Sequence, residues 1–214
     1  MKKLGDAETL SLLKKYRIPF AATFLARNEY QAMGFAKRLG YPVALKISSP
    51  DIIHKTDAGC VLTGIGSEEE LAKGFRLIMK KARKISRRVD GIFVQEMANP
   101  HSNELIIGSK LDPQFGRVLM FGLGGIFTEI LKDVSFRLIP LERKDAREMI
   151  SEIRGRKVLE GARGRKPADM RKIEDLLLNV SRMVEREREI KELDLNPVFA
   201  DDRVAKAVDA RILV

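Results

Sequence analysis

The spacing of apolar positions resolves the chain into alternating helices and strands. Over residues 7–16, Leu10, Leu12 and Leu13 recur at helical spacing with Asp6 placed as a cap, and Ile18-Pro19 breaks the run. Residues 21–25 read as a short strand. A second helix starts from Asn28 and reaches about Leu39, where Gly40 stops it. Residues 42–47 form a buried strand holding one lysine, 48–57 a polar loop, and 59–65 the next strand. Ser67 caps a helix opening Glu68-Glu69-Glu70, acids that suit the positive end of the helix dipole. It runs into the basic stretch Lys80-Lys81-Ala82-Arg83-Lys84. Asp90-Gly91 is a turn before a strand at 92–97, and Asp112-Pro113 separates strands at 104–110 and 117–122. A strand at 136–139, helices at 143–153 and 168–187, and a hairpin of 190–195 with 204–212 complete the chain. The order is mixed α+β, with a first lobe over residues 1–90 and a second over 91–214.

Composition narrows the class. With 214 residues, of which 44% are hydrophobic, the chain suffices for one large domain or two coupled lobes with a sizeable core. A formal net charge of +10 favours acidic partners such as nucleotides, coenzyme A, RNA or an acidic subunit, and equally fits a heavily charged surface with no ligand. The lone Cys60 excludes an intramolecular disulfide and a cysteine-cluster metal site. No apolar run approaches the ~18 residues of a membrane span. The N-terminal residues lack a signal-peptide core, so the expected location is the cytoplasm.

Several residues carry possible chemistry. Lys46 sits among Val43, Ala44, Leu45 and Ile47, where an isolated charge is costly; it reads as a phosphate ligand or as an edge lysine reaching solvent. Glu96 ends one apolar strand and Glu104 opens the next, placing two acids where a nucleotide's amino group and ribose hydroxyls could be received, or simply on an exposed face. Glu192, Asp194 and Asn196 alternate along one strand and share a face, with Asp209 on the returning strand. Converging oxygens of this kind suit Mg²⁺, and also suit a solvated outer face. His54 lies in a polar loop without a second ligand at metal spacing, leaving a general base, a phosphoryl acceptor or a plain surface histidine. Gly122-Leu123-Gly124-Gly125 is not a Walker loop, since no Gly-Lys-Ser/Thr follows.

Together these segments resemble a known family. The run Tyr41-Pro42-Val43-Ala44-Leu45-Lys46-Ile47-Ser48-Ser49-Pro50-Asp51-Ile52-Ile53-His54-Lys55-Thr56-Asp57-Ala58-Gly59 is similar to the ADP-forming acyl-CoA synthetases. So are Val94-Gln95-Glu96-Met97, the segment 122–129, and Glu192-Leu193-Asp194-Leu195-Asn196-Pro197, in the same order. The resemblance implies an ATP-grasp fold, two α+β lobes with the nucleotide between them. It implies ATP or ADP with Mg²⁺, with Lys46 on the phosphates and Glu96 and Glu104 near adenine and ribose. Backbone around Met97 would serve the adenine edge, Asn196 and Asp209 would hold Mg²⁺, and His54 would be a phosphohistidine on a mobile loop. Glu192 or Asp194 would stand near the histidine or the metal.

The CoA-binding and acid-binding domains found in fused members have no counterpart here, so the expected partner is a CoA-binding alpha subunit in a hetero-oligomer. The implied reaction is acyl-CoA + ADP + phosphate ⇌ acid + CoA + ATP, and the acyl-CoA or acid would be bound by the partner. Cys60 stands where relatives often have glycine. The basic segment from Arg154-Gly155-Arg156-Lys157 to Gly164-Arg165-Lys166 would serve CoA phosphates, an acidic partner or solvent. One rival is an ATP-grasp ligase that makes an acyl phosphate directly, which needs no phosphohistidine. The other is a basic nucleic-acid-binding protein, against which stands an aromatic content of 6% with no Trp. No membrane partner is expected.

Overall fold

The computed structural model describes residues 1–52, 54–125, 131–161 and 166–214. It separates into two compact units, Ala21–Met97 and Met1–Phe20 with Ala98–Val214. The sequence-based division at residue 90 is therefore corrected at both ends. The strand after Asp90 pairs back into the first sheet, and the first helix joins the second unit.

In the unit Ala21–Met97, the strands are β1 (Thr23–Ala26), β2 (Val43–Ser48), β3 (Val61–Ile65) and β4 (Gly91–Glu96). They form a four-stranded sheet in the order β1-β4-β2-β3, each neighbouring pair antiparallel. Helices α2 (Glu29–Leu39) and α3 (Glu68–Ile85) cover one face. Both begin as the sequence dictates. The Asn28 side chain accepts from Gln31 N–H, and Ser67 Oγ accepts from Glu70 N–H. Gly40, at φ +84°, ends α2. The alternation of β2 places Val43, Leu45 and Ile47 against Ala36, Leu71, Phe75 and Ile78 in one core.

The second unit holds a six-stranded sheet made of β5 (Asn103–Asp112), β6 (Gly116–Leu123), β7 (Val134–Leu138), β8 (Glu192–Ala200), β9 (Ala205–Ala207) and β10 (Arg211–Leu213). Its order is β10-β8-β5-β6-β7, with β9 also on β8. Helices α1 (Asp6–Lys15), α4 (Arg143–Glu152), α5 (Arg156–Leu159) and α6 (Met170–Arg186) share one core with the sheet residues Leu105, Ile107, Leu119, Phe121, Leu193 and Leu195. α1 belongs here because Leu13, Tyr16 and Ile18 bury in this core, while Lys3 bridges Leu213 and Phe20 bridges Ala207. Asp6 is the first residue of α1 and not its cap. Gly5 takes that position, and its N–H donates to Glu8 Oε2 at 3.0 Å.

Candidate functional site

In the first unit, Lys46 lies opposite Phe93 and Val61 on β2. Its apolar neighbours in sequence point to the helices, so Lys46 points to the other face. It is half-buried there, outside the helix-facing core. Glu96 ends β4, where its Oε1 accepts from Ala22 N–H at 2.7 Å and its own N–H donates to Ala22 O at 3.0 Å. The Glu96 carboxylate thus closes the start of the neighbouring strand. By alternation it is Met97, in phase with Phe93 and Gln95, that follows the Lys46 face. Gln95 itself is buried, and its Nε2 donates to Thr23 Oγ1 at 2.9 Å.

The loop after β2 is tied down at both ends, although Ile53 lies outside the described residues. At its start, the Asp51 carboxylate accepts from the Arg88 guanidinium and from Ser86 Oγ at 2.5 Å. The Arg88 pairing, with Ser86, holds the Asp51 carboxyl below the usual range. At its end, Lys81 Nζ donates to Gly59 O at 3.2 Å. Between these anchors the Ala58 N–H donates to His54 O at 3.0 Å and the Cys60 N–H to Lys55 O at 2.9 Å, forming local turns. The His54 side chain is 73% exposed, with Nδ1 4.0 Å from Asp57 Oδ2. Cys60 is buried, and burial pushes its thiol up against the opposing effect of Lys81, so it is packing and not a nucleophile.

In the second unit, Leu193 and Leu195 face the core, which turns Glu192, Asp194 and Asn196 to the opposite face. The register of β8 against β9 pairs Val198 with Ala207, and against β10 pairs Asp194 with Arg211. The same register carried across the gap between β9 and β10 places Asp209 opposite Asn196. A shift in the β5–β8 pairing falls at this point, between Leu105 and Ile107. It leaves Asn196-Pro197 as a bulge, which suits a residue without an N–H.

Arg211 Nη2 donates to Glu192 Oε1 at 2.5 Å. Burial pushes the Asp194 carboxyl up; Arg211 opposes this, while Asp209 and Glu192 add to it. A crowded set of carboxylates with one carboxyl held towards its protonated form is what a divalent cation would relieve, so these oxygens fit Mg²⁺. Among the described residues no three His, Cys, Asp or Glu side chains form a ready metal cage.

Glu104 is exposed on β5, and its carbonyl accepts from Gly124 N–H at 2.7 Å. A Cβ on Gly124 would lie 2.6 Å from Glu104 Cγ, so the glycine makes room for the Glu104 side chain. Positions 126–129 of the glycine-containing motif lie outside the described residues, as do 162–165 of the basic segment. Of that segment, Lys166 Nζ pairs with Asp202 at 2.8 Å. Sequence reasoning missed Asp133, a buried carboxylate that accepts from Arg154 and Gly155 N–H, both at 2.7 Å, and so ties the start of β7 to α5. It also missed Arg211, whose signal was its spacing of two from Asp209.

A family model described as an ATP-grasp domain matches residues 1–214. The chain is 46% identical over 215 residues to the acetate–CoA ligase [ADP-forming] I subunit beta of Pyrococcus furiosus, covering 100% of this chain and 92% of that one. It superposes with a TM-score of 0.93 and 44% identity on the dinucleotide-forming acetyl-coenzyme A synthetase 1 of Ca. Korarchaeum cryptofilum in complex with coenzyme A and Ca-AMPCP, covering 100% of this chain and 93% of that one. A second structure of that enzyme, with coenzyme A and Mg-AMPPCP and a phosphohistidine segment pointing towards the nucleotide binding site, matches with a TM-score of 0.86 and 43% identity over 100% of this chain and 93% of that one.

Proposed function

Since the chain belongs to the ATP-grasp family of ADP-forming acetate–CoA ligase beta subunits, we propose that it is the nucleotide-binding subunit of an ADP-forming acyl-CoA synthetase. The reaction is acyl-CoA + ADP + phosphate ⇌ acid + CoA + ATP. The end-to-end match with a beta subunit carries this reading.

An acyl phosphate made on the partner subunit gives its phosphoryl group to a ring nitrogen of His54, its phosphorus–oxygen bond breaking to release the acid; the nitrogen–phosphorus bond then breaks as the terminal oxygen of ADP bonds to phosphorus, giving ATP. An exposed imidazole on an anchored loop suits a group that must meet both donor and acceptor. Lys46, on the sheet face away from the helices, neutralises phosphate charge. Backbone at Glu96 and Met97 serves the adenine edge, and Glu104, beside the space left by Gly124, serves the ribose. Asn196 and Asp209 hold Mg²⁺, with Asp194 beside them; when bound, the ion supplies further neutralisation of the phosphates.

The acyl-CoA site belongs to a CoA-binding partner subunit, as the beta-subunit relationship supports. The test is to assay CoA-dependent ATP formation from acyl-CoA, ADP and phosphate with the chain alone and with that partner. Activity is expected only in the mixture. Full activity from the chain alone would place the acyl site within it and overturn the division of labour. Among the described residues no helix is long and apolar enough to cross a membrane.

A further inference from the structure

The helix layer of Ala21–Met97 lies on the side of the sheet away from Lys46, and it carries a feature with no part in nucleotide chemistry. A cavity of about 840 Å³ opens between the start of α2 and the middle of α3. Its floor is apolar, from Phe75 and Met79, and Tyr30 stands at its edge with 86% of its surface exposed. Around it come five cations, Arg27, Arg76, Lys80, Arg83 and Lys84, and one carboxylate, Glu29.

Within the lining Arg76 is compensated by Glu29 at 3.8 Å, as are neighbouring cations on the same helices: Lys73 pairs with Glu69 at 2.6 Å and Lys37 with Glu68 at 2.9 Å. The other four cations, Arg27, Lys80, Arg83 and Lys84, make no ion pair with any carboxylate among the described residues. The negative end of the α3 dipole accounts for Arg83 and Lys84 in the last turn, but not for Arg27 or Lys80. Four uncompensated charges round one apolar hollow repel each other, and a polyanionic surface would relieve that repulsion.

The details distinguish among anions. A free phosphate compound would use the first-turn N–H groups of α2, yet Asn28 already accepts from Gln31 N–H at 2.9 Å. A single-stranded nucleic acid would use a series of stacking rings, and the cavity offers Tyr30 as its one exposed ring. A projecting Tyr, flanking Arg side chains and a Met in the floor are the composition of a protein–protein contact.

We propose that this cleft docks an acidic surface of the CoA-binding partner subunit, with Tyr30 covered by the partner and carboxylates meeting Arg27, Lys80, Arg83 and Lys84. The proposal rests on the two-subunit reading above. It adds which face of this chain the partner occupies.

Tyr30→Ala and the triple variant Lys80→Glu, Arg83→Glu, Lys84→Glu test it, since all four residues are exposed. An unchanged melting temperature and unchanged Mg·ADP affinity confirm that each variant is folded. Association with the CoA-binding subunit is measured by calorimetry at low and high salt. The triple variant is expected to weaken association roughly a hundredfold at low salt and to flatten its salt dependence. Tyr30→Ala is expected to weaken it roughly thirtyfold at either salt. Wild-type affinity in both variants overturns the docking site while leaving the two-subunit reading intact. Failure of the wild type to associate overturns that reading and this proposal together. Unchanged association, combined with loss of binding to a single-stranded RNA probe in the triple variant, assigns the cleft to nucleic acid and overturns it as well.

Discussion

On β2 the residue that turns away from the helices is a cation, Lys46; on β8 the residues that do so are Glu192, Asp194 and Asn196. Both strands use the same device, large aliphatic side chains on alternate positions facing a helix layer, with the opposite face left for chemistry. The charge on that second face differs. The smaller sheet offers a positive group suited to phosphate, with a histidine loop anchored beside it by Asp51 and Lys81. The larger sheet gathers carboxylates closely enough that burial and neighbouring acids push Asp194 up. A chain that handles Mg·nucleotide needs both kinds of surface. Here each lies in a separate compact unit.

Four perturbations would break or sharpen this contrast. The largest effect is expected from His54→Asn. Incubation with Mg·ATP should give the wild type an acid-labile, base-stable phosphoryl label, and the variant should lose it entirely while binding Mg·ADP as before. A label that persists points to His101, the only other histidine. Next, Lys46→Ala removes a charge-assisted contact and should weaken Mg·ADP binding by about 1.5–3 kcal/mol, roughly ten- to over a hundredfold by calorimetry. Equal affinity would remove Lys46 from the phosphate site.

Gly124→Ala should act on the other unit. Its added Cβ would stand 2.6 Å from Glu104 Cγ, forcing that side chain aside. Nucleotide affinity should fall on the order of tenfold, the value of one good hydrogen bond. Glu104→Ala should match it, and the double variant should add nothing. Additive losses would separate Glu104 from the effect.

Smallest is Asp194→Asn. Because the folded-state pKa of Asp194 is raised, the folded protein holds its proton more tightly than the unfolded chain. Stability therefore declines as pH rises from the ordinary carboxylate value through the raised one. The amide removes that penalty, so the variant should melt higher at neutral pH, at ~2–4 °C for each kcal/mol recovered, and lose its advantage below about pH 4. Mg²⁺ should stabilise the wild type more than the variant, as thermal melting with and without the ion would read. A melting temperature that falls at neutral pH would make Asp194 a structural partner of Arg211.

Much of both surfaces was legible because it depends on local rules. Asn28, Ser67 and Gly40 set the ends of α2 and α3 through backbone groups only a few residues away. The two-residue period of β8 placed Glu192, Asp194 and Asn196 together, and the hairpin brought Asp209 to them. The division into units was less legible. No local signal shows that β4 lies between β1 and β2, or that α1 buries Leu13 with helices more than a hundred residues away. Such pairings are settled by which apolar faces find each other.

Sequence by itself therefore determined the caps of α2 and α3, the alternation of the strands, and the choice of Lys46, His54, Glu96, Glu104, Asn196 and Asp209 as candidate residues. Tertiary structure alone decided that the Glu96 carboxylate accepts from Ala22, that Gly124 leaves room for Glu104, that Asp133 clasps Arg154 and Gly155, and that Arg27, Lys80, Arg83 and Lys84, without ion pairs among the described residues, gather round one cavity. Local spacing is written in backbone geometry with fixed periods. Which side chains then meet depends on the packing of elements distant in sequence, and only the folded chain brings those together.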